Sequence, residues 1–128
     1  MNKKTIMVVD DDAEVREAVT DLLENHGYAV VPASNGKEAL DELKALDMRP
    51  ALILLDLMMP VMDGQTFCAE QQSDPELKDI PVVVFTSFSA AMEQMKSVED
   101  KPRLEKPVQA EELLHSIDLW SDGNKTQN

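Results

Sequence analysis

Apolar runs that never alternate constrain this chain more than any other feature. Thr5-Ile6-Met7-Val8-Val9, Ala51-Leu52-Ile53-Leu54-Leu55 and Pro81-Val82-Val83-Val84-Phe85 place apolar side chains on consecutive positions. A strand with one wet face shows every second residue to water, so such runs fit strands covered on both sides, as in a parallel sheet. Tyr28-Ala29-Val30-Val31 is a weaker run of the same kind. Parallel strands need crossover connections, and the intervening segments carry helical periodicity. Val15, Ala18, Val19, Leu22 and Leu23 recur at helical spacing, with Glu14, Arg16, Glu17, Asp21 and Glu24 on the other, solvated face. Asp12 suits the start of that helix as a cap, and Gly27 suits its left-handed end. Ala39, Leu40 and Leu43 repeat the pattern after Asn35-Gly36, and Leu113, Leu114 and Ile117 repeat it after Lys106-Pro107. Strand and helix alternate, which predicts an α/β, doubly wound domain with helices on both faces of a parallel sheet.

Two stretches are less regular. Gly64 to Gln72 reads as a helix with Phe67 and Cys68 turned inward, ended by Ser73-Asp74-Pro75. Ala90 to Val98 carries only a narrow stripe of Met92, Met95 and Val98, and Lys101 to Glu105 is a poor strand by composition. The expectation is an irregular or shortened fourth helix, lying between the fourth and fifth strands. Beyond Trp120, residues 121–128 contain nothing apolar and read as a disordered polar tail, leaving 1–120 as one domain.

Charge narrows the classes of partner. The chain of 128 residues sets 12 Lys plus Arg against 25 Asp plus Glu, a formal charge of −13. That field repels nucleic acid and anionic lipid, so direct binding to either is not expected, whereas cations are attracted. No apolar stretch approaches the roughly 20 residues of a membrane span, and Met1-Asn2-Lys3-Lys4 does not lead into the apolar run of a signal peptide. Cys68 is the single cysteine, so an internal disulfide is impossible and a reducing, cytoplasmic setting is expected for a soluble protein. His26 and His115 have no His or Cys at ligand spacing and read as structural.

In an open parallel sheet, ligands bind beyond the carboxyl ends of the strands. The first run ends in Asp10-Asp11-Asp12, the third in Asp56 and the fourth in Thr86-Ser87, while Lys106-Pro107 follows the fifth. Taken singly, each has a plain structural use: Asp12 caps a helix, Lys-Pro makes a turn, Thr-Ser caps the next helix. Together they bring carboxylates, hydroxyls and one ammonium to one edge. Crowded carboxylates are hard to keep ionised without a cation among them, and Mg²⁺ is a hard ion held by one or two carboxylates, waters and phosphate oxygens. Such a site suits phosphoryl chemistry. Asp56, standing alone after a buried run, is the candidate nucleophile, with Thr86 or Ser87 and Lys106 positioned for the phosphoryl oxygens.

From about Lys4 to Trp120 the sequence resembles the receiver domain of two-component response regulators. Four matches carry the resemblance: Val8-Val9-Asp10-Asp11, Leu55-Asp56-Leu57-Met58-Met59-Pro60-Val61-Met62-Asp63-Gly64, Val84-Phe85-Thr86-Ser87 and Lys106-Pro107. The resemblance implies a flavodoxin-like sheet of five parallel strands in the order 2-1-3-4-5. It implies that Asp56 accepts a phosphoryl group from a phosphohistidine of a sensor histidine kinase or phosphotransfer protein. It further implies that Asp10, Asp11, Asp56 and the Met58 carbonyl serve Mg²⁺, a register that the Asp run would also allow to slip to Asp11 and Asp12. Thr86 and Lys106 would contact the phosphoryl group, and Lys106-Pro107 would be a cis peptide. No output module follows, so a stand-alone regulator is expected, not an enzyme, that switches a protein-binding surface or relays its phosphoryl group onward.

The sequence also departs from the family's pattern. Where receivers carry Tyr or Phe three residues before the lysine, this chain has Arg103. A guanidinium is not buried there without a partner, so the aromatic half of the switch is missing or rebuilt. The usual small-residue stretch before the fifth strand is replaced by Ser97-Val98-Glu99-Asp100-Lys101-Pro102. Met58 and Phe88, each two residues past a site residue, are bulky and apolar, which predicts hindered access of water and slow loss of phosphate. Two rival readings stand beside this one. A haloacid dehalogenase-type phosphatase needs a second acid two residues after its nucleophile, where this chain has Met58. A pseudo-receiver would bind partners without phosphorylation.

Overall fold

In the computed structural model the described residues are 4–57, 59, 61–86, 101–106 and 109–121, with Thr86 described by its backbone alone. The unalternating runs become strands: β1 (Thr5–Val9), β2 (Ala29–Ala33), β3 (Leu52–Leu55), β4 (Val82–Thr86) and the short β5 (Arg103–Glu105). They form one parallel sheet in the order β2-β1-β3-β4-β5. The described helices are α1 (Ala13–Asn25), α2 (Gly36–Ala45), α3 (Gly64–Gln72) and, at the C-terminal end, α4 (Ala110–Ser121). The stretch 87–100, where an irregular helix is expected, lies outside the described residues, as do Met58, Phe88, Pro107 and the polar tail after Ser121.

The lack of alternation has the predicted cause. Leu52, Ile53, Leu54 and Leu55 are each 0% exposed, so β3 is covered on both sides. Odd positions such as Met7, Val9, Ile53 and Leu55 meet Leu40 and Leu43 of α2 and Phe67 of α3. Even positions such as Ile6, Val8, Leu52 and Leu54 meet Val19 and Leu23 of α1 and Leu113 and Ile117 of α4. Among the described helices, two lie on each face of the sheet, the arrangement of a doubly wound fold.

Helix ends follow the local chemistry. The Asp12 carboxylate accepts from the backbone N–H groups of Glu14 and Val15, and Gly27 closes the other end of α1 at φ 92°. Asn35 caps α2 and Asp63 caps α3 in the same way. α4 runs through Ser121, one residue beyond the expected boundary, and that residue is buried and accepts a hydrogen bond from Lys4 Nζ. Arg103 lies exposed on β5, with Leu104 alone of the three strand residues buried.

One backbone position is strained. Val61, in the loop between β3 and α3, has φ 70° and a side chain 77% exposed. A β-branched residue gains nothing there from packing and pays the left-handed penalty in full. Val61→Asn should therefore raise unfolding stability by about 1 kcal/mol, because Asn tolerates this region. A urea midpoint that stays level or falls would show that the loop, not the side chain, sets the cost.

Candidate functional site

The strand ladders carry the two central carboxylates into place. Asp10 N–H donates to Ala33 O at 3.1 Å, one rung beyond β1, and Asp56 N–H donates to Val9 O at 2.9 Å, one rung beyond β3. Both residues are nearly sealed, 1% exposed for Asp10 and 4% for Asp56. Gly64 lets the next loop close over Asp56: its N–H donates to Leu57 O at 2.8 Å, and a Cβ there would stand 2.8 Å from Asp56 O. An alanine at that position would push the backbone bearing Asp56.

Lys106 closes the edge from the far side of the sheet. Its Nζ donates to Asp10 Oδ2 at 2.7 Å and lies 3.7 Å from Asp56 Oδ2. The ammonium also sits 5.0 Å from the centre of the Phe85 ring, on β4, which favours this placement by cation–π attraction. Asp11, exposed, joins Asp10 and Asp56 with one oxygen from each within 4.8 Å of the others. Three carboxylates in that space suit a hard divalent cation, whose oxygen ligands they supply. Asp12 is occupied otherwise, its carboxylate bound to the first turn of α1.

Thr86 ends β4, paired with Glu105, and its side chain lies outside the described residues along with Met58 and Pro107. The geometry adds a residue that periodicity assigns to solvent. Arg16, on the first turns of α1, reaches back and donates from its guanidinium to Asp10 O at 2.7 Å. Asp10 Oδ1 meanwhile accepts from Asp12 N–H at 2.9 Å. The only sequence signal for this was the position of Arg16 one turn after the cap.

The family model for the response regulator receiver domain matches residues 6–118. This chain belongs to that family. The response regulator MprA of Mycolicibacterium vanbaalenii is 40% identical over 111 residues, covering 85% of this chain and 46% of the relative. This receiver spans about half the length of the curated relatives it matches. Among solved structures, the signal receiver domain of a signal transduction histidine kinase from Syntrophus aciditrophicus superposes with a TM-score of 0.83 at 31% identity, covering 95% of this chain and 92% of that one. The chemotaxis response regulator CheY4 of Vibrio cholerae gives 0.79 at 30% identity, covering 92% and 98%. Receivers are signalling domains with an acidic pocket, and this chain brings Asp10, Asp11 and Asp56 together in an acidic cluster. No described helix is long and apolar enough to cross a membrane.

Removing the ammonium should expose how much the carboxylates depend on it. Lys106→Ala leaves the sealed Asp10 carboxylate without its ion pair, at a cost of about 2–3 kcal/mol; the 22% exposure of the Lys106 side chain keeps this below the figure for a fully buried pair. Chemical denaturation in EDTA should show that loss, and saturating Mg²⁺ should shrink it. Equal stability of variant and parent in EDTA would overturn the assignment.

Proposed function

We propose that this receiver accepts a phosphoryl group on Asp56 from a phosphohistidine of a sensor kinase or phosphotransfer protein and, once phosphorylated, docks onto a protein target or passes the group on. The observation that carries this is the setting of Asp56: sealed at the end of β3, 3.7 Å from Lys106 Nζ, with its oxygens in the same small space as those of Asp10 and Asp11. An Asp56 Oδ attacks phosphorus, the O–P bond forms as the N–P bond breaks, and the departing imidazole keeps the electron pair and takes up a proton. Asp10, Asp11 and Asp56, with the Met58 carbonyl that the family resemblance implies, would hold Mg²⁺, which would supply charge neutralisation for the transferring group. Lys106 adds a second positive charge from the protein side, and Thr86, the last residue of β4, would supply a hydroxyl to a phosphoryl oxygen.

Charge supports the same reading. Three carboxylates and one ammonium leave the site two charges negative, which one Mg²⁺ neutralises. A phosphoryl group carrying about −2 in place of the carboxylate's single charge makes the site negative again by about one unit, a change for the surrounding loops to sense. Met58, two residues after Asp56 in sequence where such a phosphatase needs an acid, disfavours turnover as a phosphatase.

Incubation with acetyl phosphate and Mg²⁺ should add a single phosphoryl mass to the protein, and both Asp56→Asn and EDTA should abolish it. Absence of modification with any donor or kinase would favour a phosphorylation-independent binding module. Once phosphorylated, the chain should lose phosphate slowly, because the positions two residues past Asp56 and Thr86 in sequence carry the bulky, apolar Met58 and Phe88. Met58→Asn combined with Phe88→Gln should shorten the lifetime of the aspartyl phosphate in a radiolabel chase, and an unchanged lifetime would reject the steric account.

A further inference from the structure

The Asp11 carboxylate is aimed by its backbone. It is exposed, and among the described residues no hydrogen bond or ion pair holds its oxygens, yet one of them lies within 4.8 Å of oxygens of the sealed Asp10 and Asp56. Both peptide groups that flank Asp11 are fastened. In the one that follows it, the Asp12 N–H donates to Asp10 Oδ1 at 2.9 Å. In the one that precedes it, Asp10 O accepts from the Arg16 guanidinium at 2.7 Å. A peptide group is planar, so holding its oxygen fixes the direction in which the chain enters Asp11.

Arg16 is placed to do this firmly. Its own N–H donates to Asp12 O at 2.9 Å, which anchors its backbone at the start of α1. Its half-buried side chain shares a surface cleft with Glu17, Thr20, Asp21 and Pro32. Two carboxylates are therefore at hand, but among the described residues Arg16 forms no ion pair with them and directs its guanidinium to a neutral carbonyl. Exposed ion pairs are worth little, whereas a short bond from a cationic donor is among the stronger hydrogen bonds. The carbonyl it meets lies just past the end of β1. In a parallel ladder that oxygen would next accept from residue 35, but β2 ends at Ala33 and Asn35 caps α2. Arg16 supplies a rung at the point where the sheet stops.

We propose that Arg16 is a positioning residue for the divalent cation: by holding the Asp10–Asp11 peptide it keeps the Asp11 carboxylate turned toward Asp56, and so sets how tightly Asp10, Asp11 and Asp56 bind Mg²⁺. The proposal rests on the reading of those three acids as the Mg²⁺ site and is independent of phosphoryl transfer. Charge and position act in opposite directions here. A guanidinium near the acids repels a second cation, so its removal would tighten Mg²⁺ binding if Arg16 acted through its field alone. Removal of a support loosens it.

The test is a Mg²⁺ titration of the isotopically labelled chain at fixed ionic strength, read on the amide resonances of Asp10, Asp11 and Asp56. Arg16→Met, neutral and without donors, should raise the Kd about tenfold, the scale on which losing an outer partner of a metal ligand weakens metal binding. Arg16→Gln, whose amide is too short to reach, should do the same and replaces Arg16→Met if that variant does not fold. Arg16→Lys, which returns one cationic donor, should recover part of the affinity. In the metal-free chain, Arg16→Met should also move the carbonyl ¹³C resonance of Asp10, the signature of a lost hydrogen bond. A role confined to stability would lower the urea midpoint of the neutral variants and leave their Kd at the parent's value, which would overturn the proposal. A tighter Kd in the neutral variants, or an Asp10 carbonyl resonance that does not move, would overturn it as well. A parent that binds no Mg²⁺ would overturn the reading of the acids as a metal site and this proposal with it, whereas a parent that binds while the neutral variants match it would overturn the proposal alone.

Discussion

A single ammonium allows two sealed carboxylates to share the carboxyl edge of the sheet. Lys106 Nζ stands 2.7 Å from Asp10 and 3.7 Å from Asp56, and the pair with Asp10 joins residues 96 positions apart in the chain. Burial takes both carboxylates out of water, and the ammonium between them supplies the opposite charge that water would otherwise screen. The same contact ties the segment after the last strand to the end of the first, so the order of the sheet and the chemistry of its edge are held by one interaction.

That contact is available because the sheet leaves the side chains no choice of direction. Two-sided coverage of β3 fixes its register to the residue, since a slip by one would exchange the two cores. The ladder then continues one rung past the strand ends, through the N–H groups of Asp10 and Asp56, and the carboxylates emerge where the helices no longer cover the sheet. Arg16 and the Asp12 N–H bind the other polar atoms of Asp10, so the carboxylate nearest the ammonium is held at its backbone and at its side chain.

Most of this was legible in the sequence, for identifiable reasons. Unbroken apolar runs report two-sided burial directly, and β1 begins and ends where its run does, at Thr5 and Val9. Caps such as Asp12 and Asn35 act on neighbours within three residues, so they are visible locally. Contacts between distant segments are not. Arg16 looks like one more charge on a wet helix face until the fold brings the Asp10 carbonyl beneath it. Gln71 ends an unremarkable polar stretch, yet it is fully buried and its amide donates to Leu77 O at 2.7 Å and Ile80 O at 3.1 Å, binding the loop into β4. The strain at Val61 is equally invisible in composition, because it belongs to the path of the loop. For the site, the acids and the lysine could be read from strand ends, whereas the 5.0 Å approach of Lys106 to Phe85 required the fold.

The outer strands bear on how such a domain meets other proteins. β2 lies at one edge of the sheet and contains Pro32. Ala29 N–H turns inward to Lys4 O, so by alternation position 32 turns outward, and proline has no N–H to offer there. β5, at the other edge, is three residues long, follows Pro102 and presents charged Arg103 and Glu105 to solvent. Neither border is a template on which a foreign strand can extend the sheet. The sheet is thereby protected from polymerising through its own backbone, and contact with another molecule is left to side chains on helices and loops.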